Sequence, residues 1–289
     1  MLAGYGQRIP VGKGKLNIYT EGNGKATIVV LAGAGVTSPV LEYKPLYHKL
    51  SDTYKIAVIE KPGYGLAEST GTERTVQNLV REDRAALKGA GIEPPYILMP
   101  HSYSGFETIY WANTYPDEVL AVLSIDMGLP DTALEMIPEQ TEKSEKSSRR
   151  IYAKIRKRGL LDKLLRKWTV DASGMLSSDH LNAEEKQLYE KLFYQNLGSE
   201  EVFDENKHLI SNGIESGKTG KLKVPAFFYI SDMKVPVKQG SWRDFAVKYA
   251  ESIGAEYQLT DKGHLMYSVI PDQMVSDFRR FLDGVISSQ

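Results

Sequence analysis

The run YILMPHSYSG at residues 96–105 puts two serines and a histidine directly behind a short apolar stretch. YILMP predicts a strand, and SGFETIYWANTYP predicts a helix that stops before Pro116. His101, Ser102 and Tyr103 then occupy a sharp strand-to-helix turn, a setting that exposes a serine hydroxyl on strained backbone for nucleophilic attack. Such a turn needs compact residues two places before and two places after the nucleophile. Centring it on Ser104 would put Phe106 where a small residue is required. Centring it on Ser102 leaves Pro100 and Ser104 at those places, where glycines are usual, with Gly105 beyond. Ser102 is the candidate nucleophile, and the competing reading is that it merely caps the helix.

A serine nucleophile needs a base, and the base needs an acid to orient it. The chain has five histidines. His48 falls in an early helix, and His180 and His208 fall in a charged helical stretch. His101 adjoins the nucleophile, but its side chain should point away at a tight turn. His264, in DKGHLMY, follows the last strand and precedes the last helix, which makes it the candidate base. Asp232, just past the strand PAFFYI, is the preferred acid. Asp126, at the end of VLAVLSID, is its rival, and Asp261 is a weaker third. The backbone N–H of Tyr103 would supply one oxyanion donor and that of Ala34, in the loop AGAGVTSP, the second. AGAGVT lacks the third glycine of a dinucleotide cradle, and no two histidines stand at ligand spacing on one helix. No metal and no cofactor are expected.

The elements that must bring these residues together are continuous apolar runs alternating with amphipathic stretches. Strands are expected at 15–22, 26–33, 54–65, 96–100, 119–126, 225–231 and 255–260, and helices near 75–90, 104–115, 238–252 and 272–286. Apolar runs of this kind suit strands covered on both faces, so the pattern predicts an α/β fold with a mostly parallel central sheet. Ligands of such sheets bind at the carboxyl ends of the strands. Residues 128–220 break the rhythm with charged, helix-like sequence. The predicted organisation is a core of 1–127 and 221–289 with 128–220 inserted as a helical cap or lid.

Composition narrows the class further. With 42% hydrophobic and 25% charged residues the chain reads as globular, and a net charge of −1 gives no field for nucleic acid. The absence of cysteine excludes disulfides and thiolate chemistry. Residues 143–167 carry eleven Lys/Arg against Glu145 and Asp162, interleaved with apolar residues. This segment is either a solvated face packed by its apolar side or a weak contact for an anionic membrane surface.

Taken together, PHSYSG, LAGAG, EKPGYG (60–65), the Asp232 loop and KGH ending at His264 resemble the α/β-hydrolase fold family, over nearly all of 10–127 and 221–289. EKPGYG looks like the family's acid-x-x-Gly-x-Gly turn. The resemblance implies a serine hydrolase of carboxylesterase type, acting on a small acyl substrate through an acyl-enzyme. The family also implies two alternatives: a lyase or carbon–carbon hydrolase on the same triad, or a catalytically silent ligand-binding homologue. A serine at the elbow argues against the epoxide hydrolase and dehalogenase branches. GKGKLNIYTEGNGKATIVVLAGAG is also similar to a bacterial subgroup that often carries an N-terminal membrane anchor. Localisation is then either cytoplasmic, as the chain is given, or extracellular-facing and anchored.

Overall fold

The computed structural model describes residues 4–158, 170 and 174–287. Eight strands form one sheet: β1 (Gln7–Val11), β2 (Gly14–Glu21), β3 (Thr27–Leu31), β4 (Lys55–Glu60), β5 (Tyr96–Pro100), β6 (Val119–Ile125), β7 (Ala226–Ile230) and β8 (Glu256–Leu259). Their order is β1-β2-β4-β3-β5-β6-β7-β8. The pairs β1–β2 and β2–β4 are antiparallel, and every pair from β4–β3 to β7–β8 is parallel. Each of the seven segments read as strands overlaps one of these. β1 was not foreseen, because Pro10 interrupts it; it survives as the sheet's edge, where a missing N–H costs no ladder bond.

The continuous apolar runs are explained by helices on both faces. In β3, Val29 and Leu31 join Val80, Leu87 and Ile109 on one side. Ile28 and Val30 join Leu46, Tyr47 and Phe278 on the other. The covering helices are α1 (Pro39–Glu42), α2 (Lys44–Leu50), α3 (Val76–Gly89) and α4 (Ser104–Thr114) and, later in the chain, α9 (Trp242–Ser252) and α10 (Pro271–Ser287); Val40 of α1 and Ala246 of α9 also join these clusters. Pro39 starts α1, Pro45 sits in the first turn of α2, and Thr75 caps α3 by accepting the Asn78 N–H.

Between β6 and β7 the described residues form four helices: α5 (Pro130–Glu135), α6 (Pro138–Arg158), α7 (Ala183–Asn196) and α8 (Glu200–Lys218). α7 opens on a reciprocal capping box between Asn182 and Glu185, and Ser199 caps α8. Of the basic segment 143–167, residues 159–167 lie outside the described residues. In the remainder, Arg149 pairs with Glu145 and Glu200 and lies 3.7 Å from the centre of the Phe203 ring. No helix among the described residues is long and apolar enough to cross a membrane.

Candidate active site

Four loops at the carboxyl edge of the sheet build the site, after β3, β5, β6 and β8. Strand order turns outward from β3 to β4 on one side and to β5 on the other, so the edge opens there. Ser102 ends the β5 turn with φ of +55°, in the left-handed region that costs an ordinary side chain on the order of 1–2 kcal/mol. The surrounding contacts hold it there. Its N–H donates to Ile125 O, and its carbonyl accepts the N–H of Gly105 (3.0 Å) and Gly128 (2.6 Å). A Cβ on Gly105 would stand 2.2 Å from the Gly128 carbonyl oxygen, so the turn demands glycine here. The Ser104 hydroxyl is turned away from the site: it is buried, accepts the His101 N–H and lies 2.8 Å from the carbonyl oxygens of Leu31 and His101.

Gly33, in the loop after β3, presses against this elbow. A Cβ there would meet Ser102 Cβ at 2.6 Å and His101 Nδ1 at 3.0 Å. Two buried tyrosines fix the loop: Gly33 N–H donates to the Tyr43 hydroxyl (3.3 Å) and Gly35 N–H to the Tyr64 hydroxyl (3.2 Å). The N–H of Ala34 between them, and that of Tyr103 at the head of α4, have no hydrogen-bond partner among the described residues. EKPGYG buttresses the same loop from behind. The buried Glu60 carboxylate accepts from Asn17, Ser38 and the Leu66 N–H, and it fills the space where any side chain on Gly65 would sit.

His264 donates from Nδ1 to Asp126 Oδ2 over 2.6 Å. Asp126 is 1% exposed, and its backbone is also left-handed, at φ +49°. Its Oδ1 accepts from the Ser231 N–H (2.8 Å) and the Trp242 indole (2.8 Å), and Oδ2 from the Ser231 hydroxyl (2.5 Å). The preference for Asp232 is therefore corrected. Asp232 is exposed and has no bond to His264 among the described residues; it sits one residue past Ser231, the residue that clasps Asp126. The rival acid named from sequence, Asp126, is the partner of the imidazole.

His101 does more than separate the elbow from its strand. Burial holds its imidazole well below the ordinary histidine range, and the neighbouring His264 adds to this, so it is neutral. Its Nε2 faces the His264 carbonyl oxygen at 3.1 Å and must carry the proton, since a carbonyl can only accept. Nδ1 is then bare and accepts the Tyr43 hydroxyl proton at 2.8 Å. A chain of bonds thus runs from Gly33 through Tyr43 and His101 to the backbone of residue 264. The two imidazoles also pack against each other, with centroids 4.4 Å apart and planes tilted by 38°. Sequence reasoning considered His101 only as a base. Trp242, Ser231 and Tyr43 gave no local signal, since their roles arise from packing.

Ser102, Ala34, His101 and His264 line one cavity of about 320 Å³. Ile151, Tyr152 and Ile155 of α6 and Tyr189 and Phe193 of α7, helices that lie between β6 and β7 in the chain, also line it.

No family model matches this chain. It is 45% identical over 130 residues to the uncharacterized protein YbdG of Bacillus subtilis, a match covering 45% of this chain and 40% of that protein. It is 30% identical over 122 residues to the 2-(acetamidomethylene)succinate hydrolase of Mesorhizobium japonicum, covering 42% of each. The matches thus span less than half the length of these curated relatives. Among solved structures, a Pseudomonas aeruginosa protein provisionally described as an epoxide hydrolase superposes with a TM-score of 0.73 at 13% identity, over 97% of this chain and 96% of that one. A haloalkane dehalogenase variant from Bradyrhizobium elkanii gives 0.65 at 12% identity, over 98% and 97%. The chain has the α/β-hydrolase fold, as the order of its motifs implies.

Proposed function

We propose that this protein is a serine hydrolase of esters or related small acyl compounds, with Ser102 as nucleophile, His264 as base and Asp126 as the acid that orients it. The observation that carries this reading is the 2.6 Å Asp126–His264 pair on the same cavity as a serine held at positive φ. Asp126 holds the Nδ1–H tautomer and leaves Nε2 bare to take the Ser102 proton as its oxygen attacks the acyl carbonyl. The N–H groups of Ala34 and Tyr103 receive the oxyanion, an effect on the order of 3 kcal/mol per donor. The alcohol leaves with the proton from His264, and water then attacks the acyl-enzyme by the same relay, releasing the acid and restoring the serine. The helices of 128–220 act as a cap that narrows access. Fluorophosphonate labelling at Ser102, with hydrolysis of short p-nitrophenyl esters abolished in Ser102→Ala, is the expected result. A folded Ser102→Ala variant that keeps near-normal turnover refutes the assignment.

A further inference from the structure

The wall of the cavity carries a group that this mechanism does not use. Glu42, of α1, is the one acidic side chain lining it among the described residues, and it is 4% exposed. Its Oε1 accepts the N–H of Thr37 (2.7 Å) and Ser38 (3.4 Å) and the Tyr189 hydroxyl (3.2 Å). No lysine, arginine or histidine pairs with it among the described residues. Burial without a cation pushes its ionisation up to about 7.

The fold does not require a carboxylate at this position. The two loop N–H groups and the tyrosine hydroxyl need only an acceptor oxygen, which a glutamine amide supplies without the cost of burying a charge. What distinguishes glutamate is the negative charge it turns toward the cavity. The same cavity is lined by the aromatic side chains of Tyr189, which bonds Glu42, and of Tyr152 and Phe193, and the described lining contains no lysine or arginine. One buried carboxylate among aromatic rings is the chemistry that recognises an organic cation.

We infer that Glu42 selects substrates whose acyl group bears an ammonium, seated against Glu42 and the aromatic wall while the acyl carbonyl lies at Ser102. This rests on the serine hydrolase reading above. Acidic acyl groups are disfavoured by the same charge. The test compares p-nitrophenyl esters of 6-aminohexanoate, heptanoate and adipate, which place an ammonium, a methyl or a carboxylate at matched reach. In the wild type at about pH 8, kcat/KM for the ammonium ester should exceed that for the neutral ester by about tenfold or more, and the carboxylate ester should be the poorest. In Glu42→Gln the ammonium-to-neutral ratio should fall about tenfold.

Hydrolysis of heptanoate with no ammonium preference in the wild type overturns the inference and leaves the hydrolase reading standing. Loss of all three activities, with no fluorophosphonate labelling, overturns both. If Glu42→Gln does not fold, inhibition of the wild type decides. Hexylammonium should inhibit heptanoate hydrolysis competitively and about tenfold more strongly than hexanol. Equal inhibition by the two refutes the role of Glu42.

Discussion

Replacing Asp126 by asparagine changes one atom and nearly no volume, and the surroundings dictate how the new amide must lie. Oδ1 accepts two N–H donors, from Ser231 and Trp242, while Oδ2 accepts the His264 N–H and the Ser231 hydroxyl. An amide with its NH2 toward Ser231 N and Trp242 would face two fixed donors. Each such buried conflict costs about 1–3 kcal/mol. The amide therefore keeps its oxygen there and points NH2 at His264. The Ser231 hydroxyl can accept from it, because its proton is free to turn. Asparagine also tolerates the φ of +49°, so the fold should persist. His264 must then accept at Nδ1 and carry its proton on Nε2, which leaves no lone pair for Ser102. Loss of the working tautomer should lower kcat about 10³–10⁴-fold, equivalent to about 4–5.5 kcal/mol of barrier. Initial rates of p-nitrophenyl butyrate hydrolysis near neutral pH, with circular dichroism to verify folding, provide the assay. Asp232→Asn is the internal control and should stay within about twofold of wild type, as an exposed residue away from the imidazole. Retention of more than about a tenth of wild-type kcat by Asp126→Asn, or an equal loss in Asp232→Asn, would refute the tautomer argument.

Gly33→Ala should cut kcat by about two orders of magnitude while costing about 1–3 kcal/mol of stability, because its methyl carbon would sit 2.6 Å from Ser102 Cβ; kinetics with urea denaturation would check it. Lys61 is 1% exposed and bridges Glu107 of α4 and Glu205 of α8, so Lys61→Met should destabilise the protein by about 3–5 kcal/mol, whereas breaking the exposed Glu142–Lys146 pair should leave the denaturation midpoint unchanged. Glu42 has its ionisation raised from 4.5 to about 7, so the native state binds more protons than the unfolded chain in that window. Its contribution to stability is full below pH 4.5 and is lost as pH rises through about 7. Glu42→Gln should therefore gain about 2–3 kcal/mol relative to wild type between pH 5 and pH 8 in paired denaturation curves. The lowered ionisation of His101 acts in the opposite sense: stability present above the ordinary value of 6.5 is lost as pH falls below it, and His101→Asn should flatten that acid limb.

The sheet could be read from sequence because its strands are covered on both faces and so appear as unbroken apolar runs; Thr27–Leu31 and Tyr96–Pro100 are buried at every residue. The positions of Ser102 and His264 at the carboxyl edge could be read because each sits where a strand hands over to a helix. The carboxylate that His264 bonds could not. Asp126 and Asp232 both follow the carboxyl ends of neighbouring strands, and chain position does not tell which one the loop of His264 folds down upon. That choice is made by Trp242 and Ser231, which grip one carboxylate and leave the other in water. β1 was missed because Pro10 obscures the alternation of an edge strand. Glu42 and His101 carried no pattern of their own, since a buried carboxyl and a neutral imidazole acquire meaning only from what surrounds them.

Ser102 and Asp126 are the two non-glycine residues at positive φ among the described residues, at the heads of adjacent strands. Glycine would relax either position by about 1–2 kcal/mol. The chain thus keeps a hydroxyl and a carboxylate at the two corners where its backbone would be calmest with no side chain at all. On the hydrolase reading proposed above, pressure toward heat tolerance and pressure toward turnover pull in opposite directions there, and a lineage that gave up that chemistry while keeping the shape would be expected to lose its side chains at these two corners first.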